Sequence, residues 1–334
     1  MDEYVICKKD ELVAIADAIR SKTGGGSALS LSEMSSAVTN DIKGVEEPYV
    51  KYLTDDDGKI IEAKIYGFTT CPSFYEMSDL RSVDFSGSPN LTTIPNRCFQ
   101  NCTSLTLTSL PSGITSIGDY AFQNCTSLTL TSLPSGITSI GGYAFYDCTS
   151  LALTSLPSGI TSIGSFAFNR CTSLALTSLP SGITTIKSNT FYECTSLALT
   201  SLPSSITSIS QVAFYGCTRL AIDKLPSAIT SIGTHAFYGC TSLVNMEIAA
   251  TKLGAGSKIF YGCTGLKNIW IRSTCTSITA SSAANSHFNG CSTSLKIYAE
   301  PTAKQAGWHT YFNRTGSSGG TTVTVTYGQT TCPW

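Results

Sequence analysis

Eight cysteines, Cys102, Cys125, Cys148, Cys171, Cys194, Cys217, Cys240 and Cys263, stand 23 residues apart. Each sits in the same phrase, as in Ala121-Phe122-Gln123-Asn124-Cys125-Thr126-Ser127-Leu128. Each phrase leads into a run such as Leu130-Thr131-Ser132-Leu133-Pro134-Ser135-Gly136-Ile137-Thr138-Ser139-Ile140-Gly141. A fixed short period is the signature of a solenoid. One such unit cannot bury its apolar face alone, so successive units stack and share a continuous core. The chain is therefore expected to present a long surface, and the question moves from catalysis to display and binding.

Within one unit, Leu128, Leu130, Leu133, Ile137, Ile140, Ala144 and Phe145 form the inward set. The Leu-Thr-Ser-Leu-Pro run reads as a strand that proline ends. Ser-Gly reads as a turn, Ile-Thr-Ser-Ile as a second short strand, and Tyr-Ala-Phe-x-x-Cys as a helical turn closing the coil. A divergent first unit begins at Phe74, with Met77 in the cysteine slot, and the last spans Phe288 to Leu295. Degenerate ends are expected of capping repeats. Stacked at about 4.8 Å per unit, the rod would be roughly 50 Å long.

That stacking brings equivalent cysteines close, but their side chains point the same way from successive rungs, against the convergence a disulfide needs. A free cysteine behaves as a small buried hydrophobe. The ladder thus reads as reduced core thiols, in which a serine would bury a hydroxyl without an assured partner. Zinc calls for closely spaced ligand pairs. Cys98 and Cys102 are the nearest pair and have no histidine beside them. No metal or cofactor is expected.

The net charge is −1, which offers no long-range attraction to nucleic acid or an anionic membrane. Of 43 charged residues, 21 precede Gly67, and only Asp119, Asp147, Arg170, Lys187 and Glu193 lie between Cys102 and Thr218. The repeat surface is mostly Ser, Thr, Gly and Tyr, suited to neutral polymers or to another protein. His235, His287 and His309 have no nucleophile placed beside them by any motif, so no catalytic residues are assigned. The first nine residues lack the apolar core of a secretion signal, and no run of 18 apolar residues predicts a membrane span.

Residues 1–45 read as a helical hairpin: an apolar stripe of Leu12, Ile15, Ala16 and Ile19, a glycine turn at Gly24-Gly25-Gly26, and a capping box from Ser30 to Glu33. Residues 46–70 read as a β-hairpin linker turning at Asp55-Asp56-Asp57-Gly58. Residues 71–300 are the repeat rod, and residues 301–334 a cap and tail. In the cap, a short helix carries Trp308, Tyr311 and Phe312, a glycine-serine link follows, and the strand Thr321 to Tyr327 ends the pattern.

The phrase Phe-x-x-Cys-Thr-Ser-Leu followed by Leu-Pro-x-x-Ile-Thr-x-Ile-Gly resembles the BspA-like (Treponema pallidum type) leucine-rich repeat, from about residue 74 to 298. One departure is Leu-Thr-Leu-Thr-Ser-Leu-Pro, where that family places its middle apolar residue one position later. The resemblance implies an α/β repeat solenoid and a non-enzymatic binding role; family members include bacterial surface adhesins and phage or prophage products. Residues 10–24 and 29–34 resemble a helical-hairpin module of structural proteins of phages that infect gram-positive bacteria. Together these resemblances imply a virion appendage, such as a tail fibre, baseplate or head-fibre component. Its N-terminal module would hold other virion proteins and its rod would meet a host cell-surface protein or glycan, with homo-oligomerisation left open. The alternative is a BspA-like adhesin on a bacterial cell surface.

The repeats differ mainly in two windows. One follows Ile-Gly, as at Asp119-Tyr120 and Thr234-His235; the other precedes the cysteine, as at Tyr146-Asp147 and Asn169-Arg170. Positions that vary on a fixed frame are expected to face solvent. Tyr146, Arg170, Tyr192, Tyr215, His235 and Tyr238 are the candidate binding residues, because tyrosine offers a flat apolar body with a polar tip.

Overall fold

The computed structural model describes residues 3–6, 48–249, 252–272, 274, 277–280, 288, 290–292, 294–300 and 325–331. The expected helical hairpin, the cap helix with Trp308, Tyr311 and Phe312, and the glycine-serine link lie outside the described residues, as do His287 and His309.

The chain enters through β1 (Glu3–Ile6), β2 (Tyr49–Thr54), β3 (Ile60–Tyr66) and β4 (Ser82–Gly87), which form one sheet in that order. β2 and β3 pair antiparallel, whereas β3 and β4 pair parallel. Gly58, at φ 76°, turns the hairpin. The Asp55 carboxylate accepts the backbone N–H groups of Asp57 at 3.1 Å and Lys59 at 2.9 Å. The inner face does more than link. Val50, Tyr52, Ala63, Ile65 and Val83 belong to the same buried core as the repeats, with Tyr52 edge-on to Phe74 at 6.4 Å. The hairpin is the lid on the first rung.

The repeats form a β-solenoid. One row of two-residue strands comprises β5 (Thr93–Ile94), β6 (Ser116–Ile117), β7 (Ser139–Ile140), β8 (Ser162–Ile163), β9 (Thr185–Ile186) and β10 (Ser208–Ile209). On another side stands β11 (Lys224–Leu225); β12 (Ser231–Ile232) returns to the first row. The last rungs alternate between the two sides through β13 (Asn245–Ile248), β14 (Lys252–Ala255), β15 (Asn268–Ile271), β16 (Ser277–Ala280) and β17 (Lys296–Ala299), and β18 (Val325–Thr326) adds beside β17. All pairings from β5 onward are parallel.

Two local expectations are corrected. The Leu-Thr-Ser-Leu-Pro run is not a strand in the rungs before Lys224. Its proline has no N–H to give a ladder, and its carbonyl instead closes a turn, as when Ile137 N–H donates to Pro134 O at 3.2 Å. Where the proline is absent, β13, β15 and β17 run four residues. The Tyr-Ala-Phe-x-x-Cys stretch is a pair of β-turns, not a helical turn, and no helix occurs among the described residues. Ala121 and Cys125 donate three residues back, to Gly118 O and Phe122 O. Tyr120, Phe122 and Asn124 donate across to Gly142 O, Ala144 O and Tyr146 O of the next rung, at 2.7–2.9 Å. Alternate donors serve the turn and the stack.

Rings from Phe74 to Phe288 stack through the core, with centroids 5.1–6.0 Å apart and planes within 11°. The described cysteines are free and buried. Each ladder thiol donates to the phenylalanine carbonyl of the preceding rung: Cys125 to Phe99 at 3.0 Å, Cys148 to Phe122 at 2.9 Å, Cys171 to Phe145 at 2.9 Å. The thiol is therefore a hydrogen-bonding group, more than the small hydrophobe expected. The threonine after each cysteine has a similar task outside, as Thr126 Oγ1 donates to Thr103 O at 3.3 Å.

One seam interrupts the first row. β5 to β8 form one sheet and β9 to β16 of that side another, with no pairing between β8 and β9. The residue after β9 is Lys187, where the two preceding rungs have Gly141 and Gly164 and the next has Ser210. A Cβ at Gly164 would lie 2.3 Å from Gly142 N, and at Gly141 2.5 Å from Asp119 N. Glycine lets the backbones close at Gly141 and Gly164; Ser210, in the same place after β10, still pairs with β9, its N–H donating to Ile186 O at 2.8 Å.

Candidate binding surface

Each rung turns through two residues with positive φ. The first lane holds Tyr120, Tyr143, Phe166, Asn189, Val212, His235 and Lys258, at φ 52–60°. The second holds Asn101, Asn124, Asp147, Arg170 and Glu193, and then Gly216, Gly239, Gly262 and Gly290. A type II turn demands positive φ at its third residue, which suits Gly and Asn and costs other residues about 1–2 kcal/mol. The two variable windows of the sequence are these turns. Tyr, Phe and Val give no sign in the sequence of that left-handed conformation. The Asn-to-Gly drift of the second lane was the available signal.

Just ahead of the second lane, Tyr192, Tyr215, Tyr238 and Tyr261 stack at 4.9, 4.5 and 4.8 Å, with planes within 14°. In the first lane, Tyr120, Tyr143 and Phe166 stack at 4.8 and 4.4 Å. Both aromatic ladders meet a cation at one end: Arg97 lies 5.4 Å over Tyr120, and Lys258 5.7 Å over Tyr261. Ring faces are taken by neighbouring rings, so edges and hydroxyls face outward.

Of the six candidate residues, Tyr192, Tyr215 and Tyr238 come together, and His235 joins them edge-on to Tyr238 at 5.6 Å. Tyr146 does not. Asn169, 4% exposed, holds the equivalent place one rung on and separates it from Tyr192, so Tyr146 leans instead on Tyr143 at 5.7 Å. Arg170 is engaged within the chain, its Nε 3.5 Å from both Asp147 Oδ1 and Glu193 Oε2. Tyr261, at the same place in its repeat, completes the ladder.

Burial, with smaller contributions from Glu193 and Tyr238 respectively, holds the Tyr192 and Tyr215 phenols above their usual range. They stay protonated near neutral pH and can donate and accept hydrogen bonds. Burial, reinforced by Lys258, pulls His235 below the usual histidine range, which favours its neutral form. Tyr192, Tyr215 and His235 are thus uncharged near neutral pH.

The family model described as BspA type leucine rich repeat region (6 copies) matches residues 70–198 and 184–313. No curated protein matches the chain. Among solved structures, the chain is similar to a leucine-rich repeat protein from Bacteroides ovatus: 22% identity, 77% of this chain and 78% of that one, TM-score 0.47. It is also similar to a leucine rich cell surface protein from Faecalibacterium prausnitzii: 22% identity, coverage 80% and 98%, TM-score 0.42. The leucine rich repeat protein of T. pallidum shows 26% identity, coverage 64% and 86%, and TM-score 0.37.

Proposed function

The chain belongs to the BspA-type leucine-rich repeat family, and from that premise we propose that it is a non-enzymatic binding protein whose rod engages a cell surface through its turn edge. The observation that carries this reading is the Tyr192–Tyr215–Tyr238 ladder: partly exposed and held by a frame whose recurring Phe, Cys, Leu and Ile side chains are buried. Stacking fixes the rings in advance, so a partner meets groups whose rotamer entropy is already spent. Aromatic residues set in this way are the usual carriers of binding energy.

The carrier of the rod is, in this proposal, a phage particle. The support is the resemblance of residues 10–34 to phage structural modules. The rod is then a tail-fibre, baseplate or head-fibre appendage that adsorbs to a host protein or glycan. Membership of the BspA-type family favours the second reading, a bacterial surface adhesin. Among the described residues no helix is long and apolar enough to cross a membrane.

The test of binding is adsorption to host cells by a Tyr192→Ala, Tyr215→Ala, Tyr238→Ala variant whose fold is verified by circular dichroism. A tenfold or greater loss is expected, and unchanged adsorption refutes the turn edge. Mass spectrometry of purified particles against washed cell envelopes decides the carrier: the protein in particles supports the virion, in envelopes the adhesin.

A further inference from the structure

We propose that the lane between Glu193 and Lys258 takes one short stretch of a linear, uncharged polysaccharide lying along the rod axis. This rests on the binding role proposed above and narrows it to a ligand class. Beside Tyr215, Tyr238 and Tyr261, the left-handed positions are Gly216, Gly239 and Gly262. No side chain grows beside those rings, whereas Asp147, Arg170 and Glu193 fill the same place in earlier rungs. The result is a floor of glycine backbone beside a wall of ring edges and phenol hydroxyls. Hydroxyl-rich rings without charge match such a surface: apolar C–H groups meet the ring edges, and hydroxyls meet phenols that both donate and accept.

Period and size separate the occupants. The phenols recur every 4.5–4.9 Å. Same-side residues of an extended peptide recur at roughly 6.6–6.8 Å and fall out of register at once. Each sugar ring of an extended glycan carries hydroxyls and apolar C–H groups on both sides of the chain, so contact with successive phenols does not depend on one repeated side group. A second copy of the chain has the right period, but a strip three ring spacings long cannot supply the ~800 Å² per partner of an ordinary protein interface. The Tyr192–Glu193 end bears the carboxylate and Lys258 closes the other end, so an anionic polymer meets repulsion at one of them.

The structure supplies a variant that fills the lane without disturbing the frame. Asn101 and Asn124 occupy the second lane in earlier rungs, with Asn124 Nδ2 donating to Asn101 Oδ1 at 2.8 Å. A Cβ at Gly239 meets only Gly216 atoms at 3.9 Å and beyond, and at Gly262 only Gly239 atoms at 3.7 Å. Gly239→Asn with Gly262→Asn should therefore fold and close the lane.

The experiment measures binding of the full chain to cellohexaose, chitohexaose and mannohexaose by titration calorimetry, with heparin hexasaccharide as the anionic control. At least one neutral hexasaccharide should bind, with little change between low and high salt. The Asn double variant should weaken it tenfold or more, and Tyr215→Phe with Tyr238→Phe, which keeps the rings, at least threefold. Binding of no neutral hexasaccharide, binding of heparin alone, or equal binding by the Asn variant overturns the proposal. So does a dimer in light scattering that the Asn variant abolishes, which gives the lane to a second copy. If the alanine variant loses host adsorption while no hexasaccharide binds, the turn edge stands as the binding face and the glycan falls.

Discussion

Cys171 Sγ donates a hydrogen bond to the backbone carbonyl of Phe145 at 2.9 Å, across the interval between two rungs. The same bond recurs from Cys102 to Cys291. It gives the cysteine slot a polar requirement inside an apolar core: a small side chain with one weak donor aimed at a carbonyl.

Cys171→Ala leaves a methyl-scale cavity and removes the donor, at a cost of about 1–2 kcal/mol. Cys171→Ser keeps a donor facing Phe145 O, so it should cost no more than the alanine. Urea unfolding of the two variants checks this. A serine variant clearly less stable than the alanine variant means that the hydroxyl is buried unsatisfied and the slot has no polar requirement.

The thiols also set the alkaline limit of stability. Burial pushes Cys102 and Cys291 up to about 12, and the other ladder thiols upward as well. An unfolded thiol ionises near 8.5. A raised folded value means that the stabilisation is complete below about pH 8.5 and is lost as pH rises from there toward 12. Each thiol contributes a loss of about 1.4 kcal/mol per pH unit in that window. The unfolding midpoint should fall steeply above pH 9, and a flat profile to pH 10.5 contradicts it. Alkylation at pH 8 should spare the ladder in the native protein and reach it on unfolding.

Gly141 and Lys187 occupy equivalent places with opposite consequences. Gly141→Ala puts a Cβ against Asp119 N and Gly118 C at 2.5 Å, both backbone atoms with no freedom to move aside. The loss should be about 1–3 kcal/mol, as for other overpacked sites. Lys187→Gly should let β8 and β9 pair, slowing amide hydrogen exchange in residues 184–187. Exchange as fast as in the parent there means that the seam has another cause.

Much of this was legible in the chain. The 23-residue period reports the rung directly, and the phase of Phe, Cys, Leu and Ile within it reports which side chains face in. Local backbone was less legible. Leu130 to Pro134 looks extended, yet Pro134 withholds the N–H a ladder needs. Tyr120 and Asn124 sit in a segment with helical composition, yet their N–H groups reach the next rung, an option visible only once rungs are stacked. The binding face was half visible. Variation marked the windows, but not that Asn169 divides Tyr146 from Tyr192, nor that Arg170 is held between Asp147 and Glu193.

The lid role of β2 and β3 separates two truncations that the sequence alone treats alike. Removing residues 1–44 takes away β1, an edge strand, and leaves the β2–β4 sheet over Phe74. The rod should stay folded, with its unfolding midpoint within a few degrees of the full chain. Removing residues 1–66 uncovers Phe74 and Leu80, both fully buried, and takes away Ala63, the β3 partner of Val83. In a stacked array an exposed terminal rung frays and passes the loss to its neighbour. The longer truncation should therefore aggregate or lose protection progressively from Cys71 to Leu105 in hydrogen exchange. Equal stability of the two truncations means that the hairpin is a linker and not a lid. In the virion reading, the 1–44 deletion alone should abolish incorporation into particles. Normal incorporation removes attachment from that segment.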